Sequence, residues 1–375
     1  MTSPEAPYGR GAFGNPRAVA GLAARIDEAA RSLGRPATFM EVCGTHTNAI
    51  AAAGLRRLLP RSIRLIAGPG CPVCVTPVGY VDRAEALARR PGIIVCTFGD
   101  MLRVPSSTGS LERVRAEGGD VRVVYSPRDA VDMARQNPSR RVVFLGVGFE
   151  TTVPTVAAAL DEAEATAVSN FLILSGHKVM PPPLRALASD PEVAVDGLLC
   201  PGHVSVITGW RAFAFLPEDY GLAAVVVGFT PTDVMRGVLD LVRQMAEGRP
   251  EVVNLYSRVV TADGNTRAKA LVERYFTPED QIWRGFGAIP GSGLGLRPEF
   301  AHRDASLIPV DVCDPVEPEG CRCGEVLKGS INPPECPLFG RECTHESPVG
   351  ACMVSSEGTC AAWYRHERFS QGGAP

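Results

Sequence analysis

Two cysteines two residues apart, Cys71 and Cys74 in "GPGCPVCVTP" (residues 68–77), pose the first chemical question of this sequence. Such a pair can be a disulfide staple, half of a zinc site, or a dithiol that exchanges electrons. Cys43 in "CGTHT" poses a second, since Gly44 lets backbone approach a ligand and His46 is placed to bias the thiol toward thiolate. A sulfur of that kind suits a nucleophile or a soft metal ligand. The third lies near the C-terminus, where Cys313, Cys321, Cys323, Cys336, Cys343, Cys352 and Cys360 crowd a Pro- and Gly-rich tract. Irregular backbone around many thiols is the pattern of an iron-sulfur cubane or a zinc site, and composition alone does not choose between them.

Composition narrows the setting of this chemistry. The chain has 375 residues, 45% of them hydrophobic, enough to bury the cores of two or three domains. Its net charge is -3 with acids and bases interspersed, which disfavours a nucleic-acid or anionic-membrane partner. The start "MTSPEAPYGRGAF" lacks the regions of a signal peptide, and no apolar run approaches the roughly 18 residues of a membrane span. A cytoplasmic protein is expected, and in that reducing compartment twelve cysteines read better as ligands or reactive thiols than as staples. Zinc at Cys71 and Cys74 would need a second knuckle, yet no other Cys-X2-Cys occurs, so a redox or exchange dithiol is favoured.

The elements that must position these residues are legible. "ATFMEV", "IRLIAG", "GIIVCTF", "VRVVY", "RVVFLGVG", "NFLILSG", "DGLLCPG" and "AAVVVGF" are apolar runs without polar alternation, as in strands covered on both faces. Helix starts stand between them: Ser126, Pro127 and Asp129 fit N-cap, N1 and N3, as do Thr230, Pro231 and Asp233, and Thr76-Pro77 fits less fully. A helix beginning just after Cys74 should lower the pKa of both its thiol and that of Cys71. The fold class is α/β, with two small parallel-sheet lobes around a cleft, residues 37–125 and 126–232. A segment 1–36 with a disordered start precedes them, and a helical, Cys-rich domain 233–375 follows, its "GFGAIPGSGLGLRPEF" reading as a turn-rich connection.

In a parallel sheet ligands gather beyond the carboxyl ends of the strands. Those ends carry "CGTHT", "GPGCPVC", "FGD" (98–100), "GFETT" (148–152), "SGHK" (175–178), "CPGH" (200–203) and "GFTPTD" (228–233). Cys96 and Cys200 lie within apolar runs and read as packing, whereas His177 and His203 can serve simply as caps for carbonyls.

Together, "MEVCGTHT", "GPGCPVCVTP", "GFETT", "PGHVSVITG" and "CRCGEVLKG...CPLFG..CT...PVGACMVSSEGTCAAWY" resemble the HypD family of hydrogenase formation proteins, over about residues 38–365. The resemblance implies a scaffold on which an Fe(CN)2CO unit is assembled for the large subunit of [NiFe]-hydrogenases, together with the small chaperone HypC and with HypE as cyanide donor. It implies that Cys43 is an iron ligand shared with HypC. It also implies a [4Fe-4S] cluster on Cys321, Cys336, Cys343 and Cys360, whose spacing matches Cys-x14-Cys-x6-Cys-x16-Cys. With a cluster in the chain, Cys71 and Cys74 look like an electron relay similar to that of ferredoxin-thioredoxin reductases. Thr45, His46 and Glu150 match positions lining the family's cleft, and Gly44, Thr151 and His203 fall in the same motifs. One departure stands out: "GFTPTD" has Thr230 where a glutamate is expected. A different-class alternative is a stand-alone iron-sulfur thiol-disulfide oxidoreductase that uses Cys43 and the dithiol on a substrate disulfide.

Overall fold

The computed structural model describes residues 15–191 and 193–368; the disorder expected at the start of the chain concerns residues outside these. Its strands are β1 (Ala37–Glu41), β2 (Ile63–Ala67), β3 (Ile93–Thr97), β4 (Val121–Val123), β5 (Arg141–Gly148), β6 (Phe171–His177), β7 (Gly197–Cys200), β8 (Ala223–Val226), β9 (Val252–Asn254), β10 (Phe276–Trp283) and β11 (Gly287–Leu296). The eight apolar runs are β1 to β8, and all pair in parallel. Helices cover both faces of the sheets, so β3 is buried at every position.

Five strands form one sheet in the order β2-β1-β7-β8-β9, and four form another in the order β4-β3-β5-β6. The division expected at residues 125/126 therefore falls between β4 and β5, inside the four-stranded sheet, while β1 and β2 join strands from far down the chain. Parallel neighbours are joined by crossovers, so sequence adjacency does not dictate which strands pair.

Strand order reverses once in each sheet, between β1 and β7 and between β3 and β5. The loops leaving such a strand pair diverge and open a crevice beyond the carboxyl ends. "CGTHT" and "CPGH" follow β1 and β7, whereas "FGD" and "GFETT" follow β3 and β5. Topology thus sorts the chemistry-bearing loops into two pairs.

Two helix starts have the expected capping boxes. Ser126 opens Pro127–Gln136, and Thr230 opens Pro231–Glu247 with its hydroxyl accepting the Asp233 N–H at 3.1 Å. Thr230 is thus a cap, a role that needs no carboxylate. The dithiol corner differs from expectation, because a short helix Pro72–Val75 already holds Cys74 and the next begins at Val78. The segment read as a turn-rich connection is β11, paired antiparallel with β10. Its glycines hide its strand character; a Cβ at Gly293 or Gly295 would collide with Gln281 or Glu279 across the pair. No helix among the described residues is long and apolar enough to cross a membrane.

Thr230→Ala removes the cap and is expected to lower unfolding free energy by about 1 kcal/mol, with Thr230→Ser close to wild type. Urea denaturation followed by circular dichroism checks this.

Candidate functional site

Cys43 stands where β1 turns into the helix Gly44–Ala52, as its N-cap. Val42 N–H still donates to Leu199 O at 3.3 Å, so β1 is clamped to β7 up to the corner. Below the thiol lies the buried Glu41, whose carboxylate accepts from Cys43 N–H (3.1 Å) and from the Thr47 hydroxyl (2.5 Å). Burial pushes the Glu41 carboxyl up to about 8.

The ionisation expected at Cys43 is reversed by its surroundings. Burial pushes its thiol up to about 12, and the neighbouring Glu357 and Glu41 add to the rise, outweighing backbone N–H groups of His46 and Thr45 that favour the thiolate. His46 does not help as a cation, because burial lowers its pKa to about 4. Its Nε2 lies 3.0 Å from Gly228 O. A carbonyl only accepts, so Nε2 carries the proton and Nδ1 is a bare lone pair, buried without a hydrogen-bond partner among the described residues.

Gly44 is tight against the chain itself: a Cβ there would meet Glu357 at 2.5 Å, so the close approach expected for a ligand is made by a C-terminal loop. The Thr45 hydroxyl donates to Glu357 Oε1 at 2.8 Å, which engages its proton. Phe229 separates two histidines, with its ring centroid 4.7 Å from His46 and 3.9 Å from His203, which is exposed. Glu150 is buried at the other crevice, where Oε1 accepts from Met180 N–H at 2.8 Å and Oε2 has no partner among the described residues. Burial raises its carboxyl to about 7. Thr151, next to it, is exposed.

Cys71 caps the short helix, its Sγ accepting the Cys74 N–H at 3.3 Å. Gly70, just before it, packs so closely on the backbone of Cys43 that a Cβ would overlap it, which ties the dithiol corner to the Cys43 corner. Cys74 is fully buried, and burial pushes its thiol well up, opposite to the effect expected from the helix terminus. A desolvation cost outweighs the dipole of a helix this short.

From Cys74 a line of sulfurs runs into the C-terminal tract. Cys74 Sγ reaches the carbonyl of Ala351 at 4.0 Å, next to Cys352, whose Sγ is 2.6 Å from Cys323 Sγ, and Cys321 lies two residues before Cys323 on the same cavity wall. Cys321, Cys323, Cys336, Cys343, Cys352 and Cys360 line one small cavity, closed by Val326, Leu338, Phe339 and Met353. Cys313 is exposed and lies apart.

The lining of the cavity is consistent with iron-sulfur binding. Six thiols from separate turns of the tract surround a space. A Cβ at Gly350 would lie 2.6 Å from Cys321 Sγ, so glycine keeps that wall open. Val349 N–H points to Cys343 Sγ at 3.4 Å, the kind of backbone donor that stabilises cluster sulfur. The residues present therefore fit an iron-sulfur group, and six thiols are available to hold it.

Three groups of weight escaped the sequence reading: Glu41, Glu357 and Phe229. Glu41 ends an apolar strand, and Glu357 is the single acid of "SSEGTC"; a lone charge in such a context was the available signal. The helix Thr359–His366, which carries Cys360, packs on the Cys43 helix. The half-buried Arg56–Glu367 pair (2.7 Å) and the Arg56–Trp363 stack reinforce that contact.

Comparison with known proteins gives a family match. The HypD model, described as the hydrogenase formation hypA family, matches residues 17–367. The chain is 46% identical over 358 residues to a hydrogenase maturation factor HypD of Azotobacter vinelandii, covering 93% of this chain and 94% of that protein. It is 46% identical over 339 residues to HypD of Escherichia coli K12, covering 89% and 90%. HypD of Cupriavidus necator is 45% identical over 360 residues, covering 93% and 95%.

Two measurements follow from the ionisation states. In metal-free protein at pH 8, alkylation of Cys43 should run roughly a thousandfold slower than that of the exposed Cys313, read by mass spectrometry of timed iodoacetamide pulses. Glu150 holds its proton in the folded chain between its ordinary 4.5 and about 7, so its contribution to stability is present below pH 4.5 and is lost as pH rises to about 7. Glu150→Gln should show a smaller decline in urea midpoint across that window than the wild type.

Proposed function

The chain belongs to the HypD family of hydrogenase formation proteins, and on that premise we propose that it acts in hydrogenase maturation as the scaffold that builds an Fe(CN)2CO unit. Cys43 holds the iron of this cargo together with HypC, and HypE supplies the cyanide. The observation that carries the reading is that the dithiol corner, packed on Cys43, meets the cysteine-lined tract: Cys74 Sγ reaches Ala351 O beside Cys352, and Cys352 Sγ lies 2.6 Å from Cys323 Sγ.

A thiol held near pKa 12 is inert until a cation arrives, so iron binding at Cys43 is coupled to release of one proton. This keeps the empty site from reacting with adventitious electrophiles. The thiolate then formed is a soft donor suited to iron that carries cyanide and CO. His46 Nδ1 offers a lone pair in a water-poor pocket, and Glu150, partly protonated near neutral pH, offers a donor for a cyanide nitrogen. Thr45 serves the cleft through Glu357, by holding the C-terminal loop against the Cys43 helix.

Cyanide leaves a protein thiocyanate as follows. The S–CN bond of HypE breaks, its sulfur takes up a proton as thiol, and Cys71 and Cys74 join in a disulfide: RSCN + 2 R′SH gives RSH + R′SSR′ + HCN. Two electrons pass from the dithiol to the thiocyanate, and HCN transfers its carbon to iron with loss of the proton. A [4Fe-4S] cluster held by Cys321, Cys336, Cys343 and Cys360 supplies single electrons when bound. The Cys323–Cys352 pair lies between that site and the Cys74–Ala351 contact, so the dithiol can be restored from the C-terminal side.

Anaerobic protein co-purified with its small partner tests the scheme. The wild type is expected to show infrared bands of metal-bound cyanide and CO, and iron-sulfur absorption with matching iron and sulfide counts. Cys43→Ala should lose the infrared bands and keep the cluster; Cys71→Ser should keep the cluster and accept cyanide at less than a tenth of the normal rate. A Cys43→Ala protein with full bands refutes the scaffold reading.

A further inference from the structure

Arg284 is a buried cation that the scheme above does not use. Its side chain is 2% exposed, in a stretch otherwise composed of glycine and apolar residues. Its backbone N–H donates to Val75 O at 2.9 Å and its Nε to Thr76 O at 3.1 Å, which fastens it to the end of the dithiol helix. On the other side, Gly285 packs on the backbone of Gly324, next to Cys323, closely enough that a Cβ at Gly285 would lie 2.5 Å from the Gly324 Cα. Nη1 pairs with Glu317, which is 57% exposed. Nη2 is buried with no hydrogen-bond partner among the described residues.

A guanidinium stays charged at any physiological pH, and burying one beside a half-exposed counter-charge is costly unless something nearby is negative. No second carboxylate pairs with Arg284 among the described residues, and the Gly285–Gly324 contact sets its segment against the one that carries Cys321 and Cys323. A cubane ligated by four thiolates carries net negative charge, which grows by one on one-electron reduction. A fixed buried cation stabilises the more negative state more strongly, and charge near a cluster is one of the factors that sets its potential.

Resting on the cluster reading of the preceding section, we propose that Arg284 is a positioning residue that raises the reduction potential of the C-terminal cluster and locks the dithiol helix against it. Glu317 opposes this effect by partly neutralising the guanidinium. The same side chain therefore fixes both the distance and the driving force between the one-electron centre and the two-electron dithiol.

Redox titration of anaerobically purified full-length protein, followed by the electron paramagnetic resonance signal of the reduced cluster, tests the proposal. Arg284→Gln should lower the reduced-to-oxidised ratio at fixed potential at least tenfold, equivalent to about 59 mV for one electron. Arg284→Lys should recover most of it. Glu317→Gln, a change at an exposed side chain, should move the ratio two- to threefold the other way, and it decides the question by itself if Arg284→Gln does not load iron. Unchanged potentials in the loaded variants overturn the proposal. A wild-type protein without bound iron and sulfide overturns instead the cluster reading on which it rests.

Discussion

Removal of sulfur from water governs this molecule. Ten of the twelve cysteines are buried, and each ionised thiol would have to be stabilised by something other than solvent. Burial raises the pKa of Cys43 and Cys74 in spite of nearby helix N-termini, and crowding by other thiols raises it further for Cys323 and Cys352. A set of sulfurs in that condition is quiet when empty. Folding thus leaves the thiols of Cys43, Cys74, Cys323 and Cys352 protonated and unreactive.

The second requirement is that separate sulfur groups stay in register, and several contacts of different kinds secure it. Parallel pairing of β1 with both β2 and β7 places Cys43 at a reversal of strand order. Gly70 then brings the Cys71 corner onto the Cys43 backbone, where no side chain fits between them. From the C-terminal side, Glu357 bonds to Thr45 and the Thr359–His366 helix lies along Gly44–Ala52, with Arg56 half-buried against Glu367 and Trp363. Arg284 does the same work at the far end of the dithiol helix. Dense contacts of this kind hold the sulfur-bearing segments in fixed register.

Aromatic and carboxylate groups complete the crevices without coming from one place in the chain. Phe229, from the loop after β8, lies between a histidine after β1 and another after β7. Glu150 sits after β5 and His46 after β1, and Glu150 Oε2 and His46 Nδ1 have no hydrogen-bond partner among the described residues. Buried polar atoms left without partners are costly in a folded chain and mark the places where a ligand is expected.

The sequence alone determined the element types and the inventory of reactive groups. Strands covered on both faces must be apolar throughout, which made β1 to β8 legible, and the boxes at Ser126 and Thr230 are local chemistry that needs no tertiary context. The hairpin of β10 and β11 was illegible, since its glycines make room for side chains across the pair and carry no strand propensity of their own. Strand order, the partnership of Cys74 with a segment 277 residues away, and the protonation of Cys43 belonged to the tertiary structure. The reason is physical: a thiol's acidity and its partners depend on which distant groups exclude water from it, and chain neighbours do not fix that.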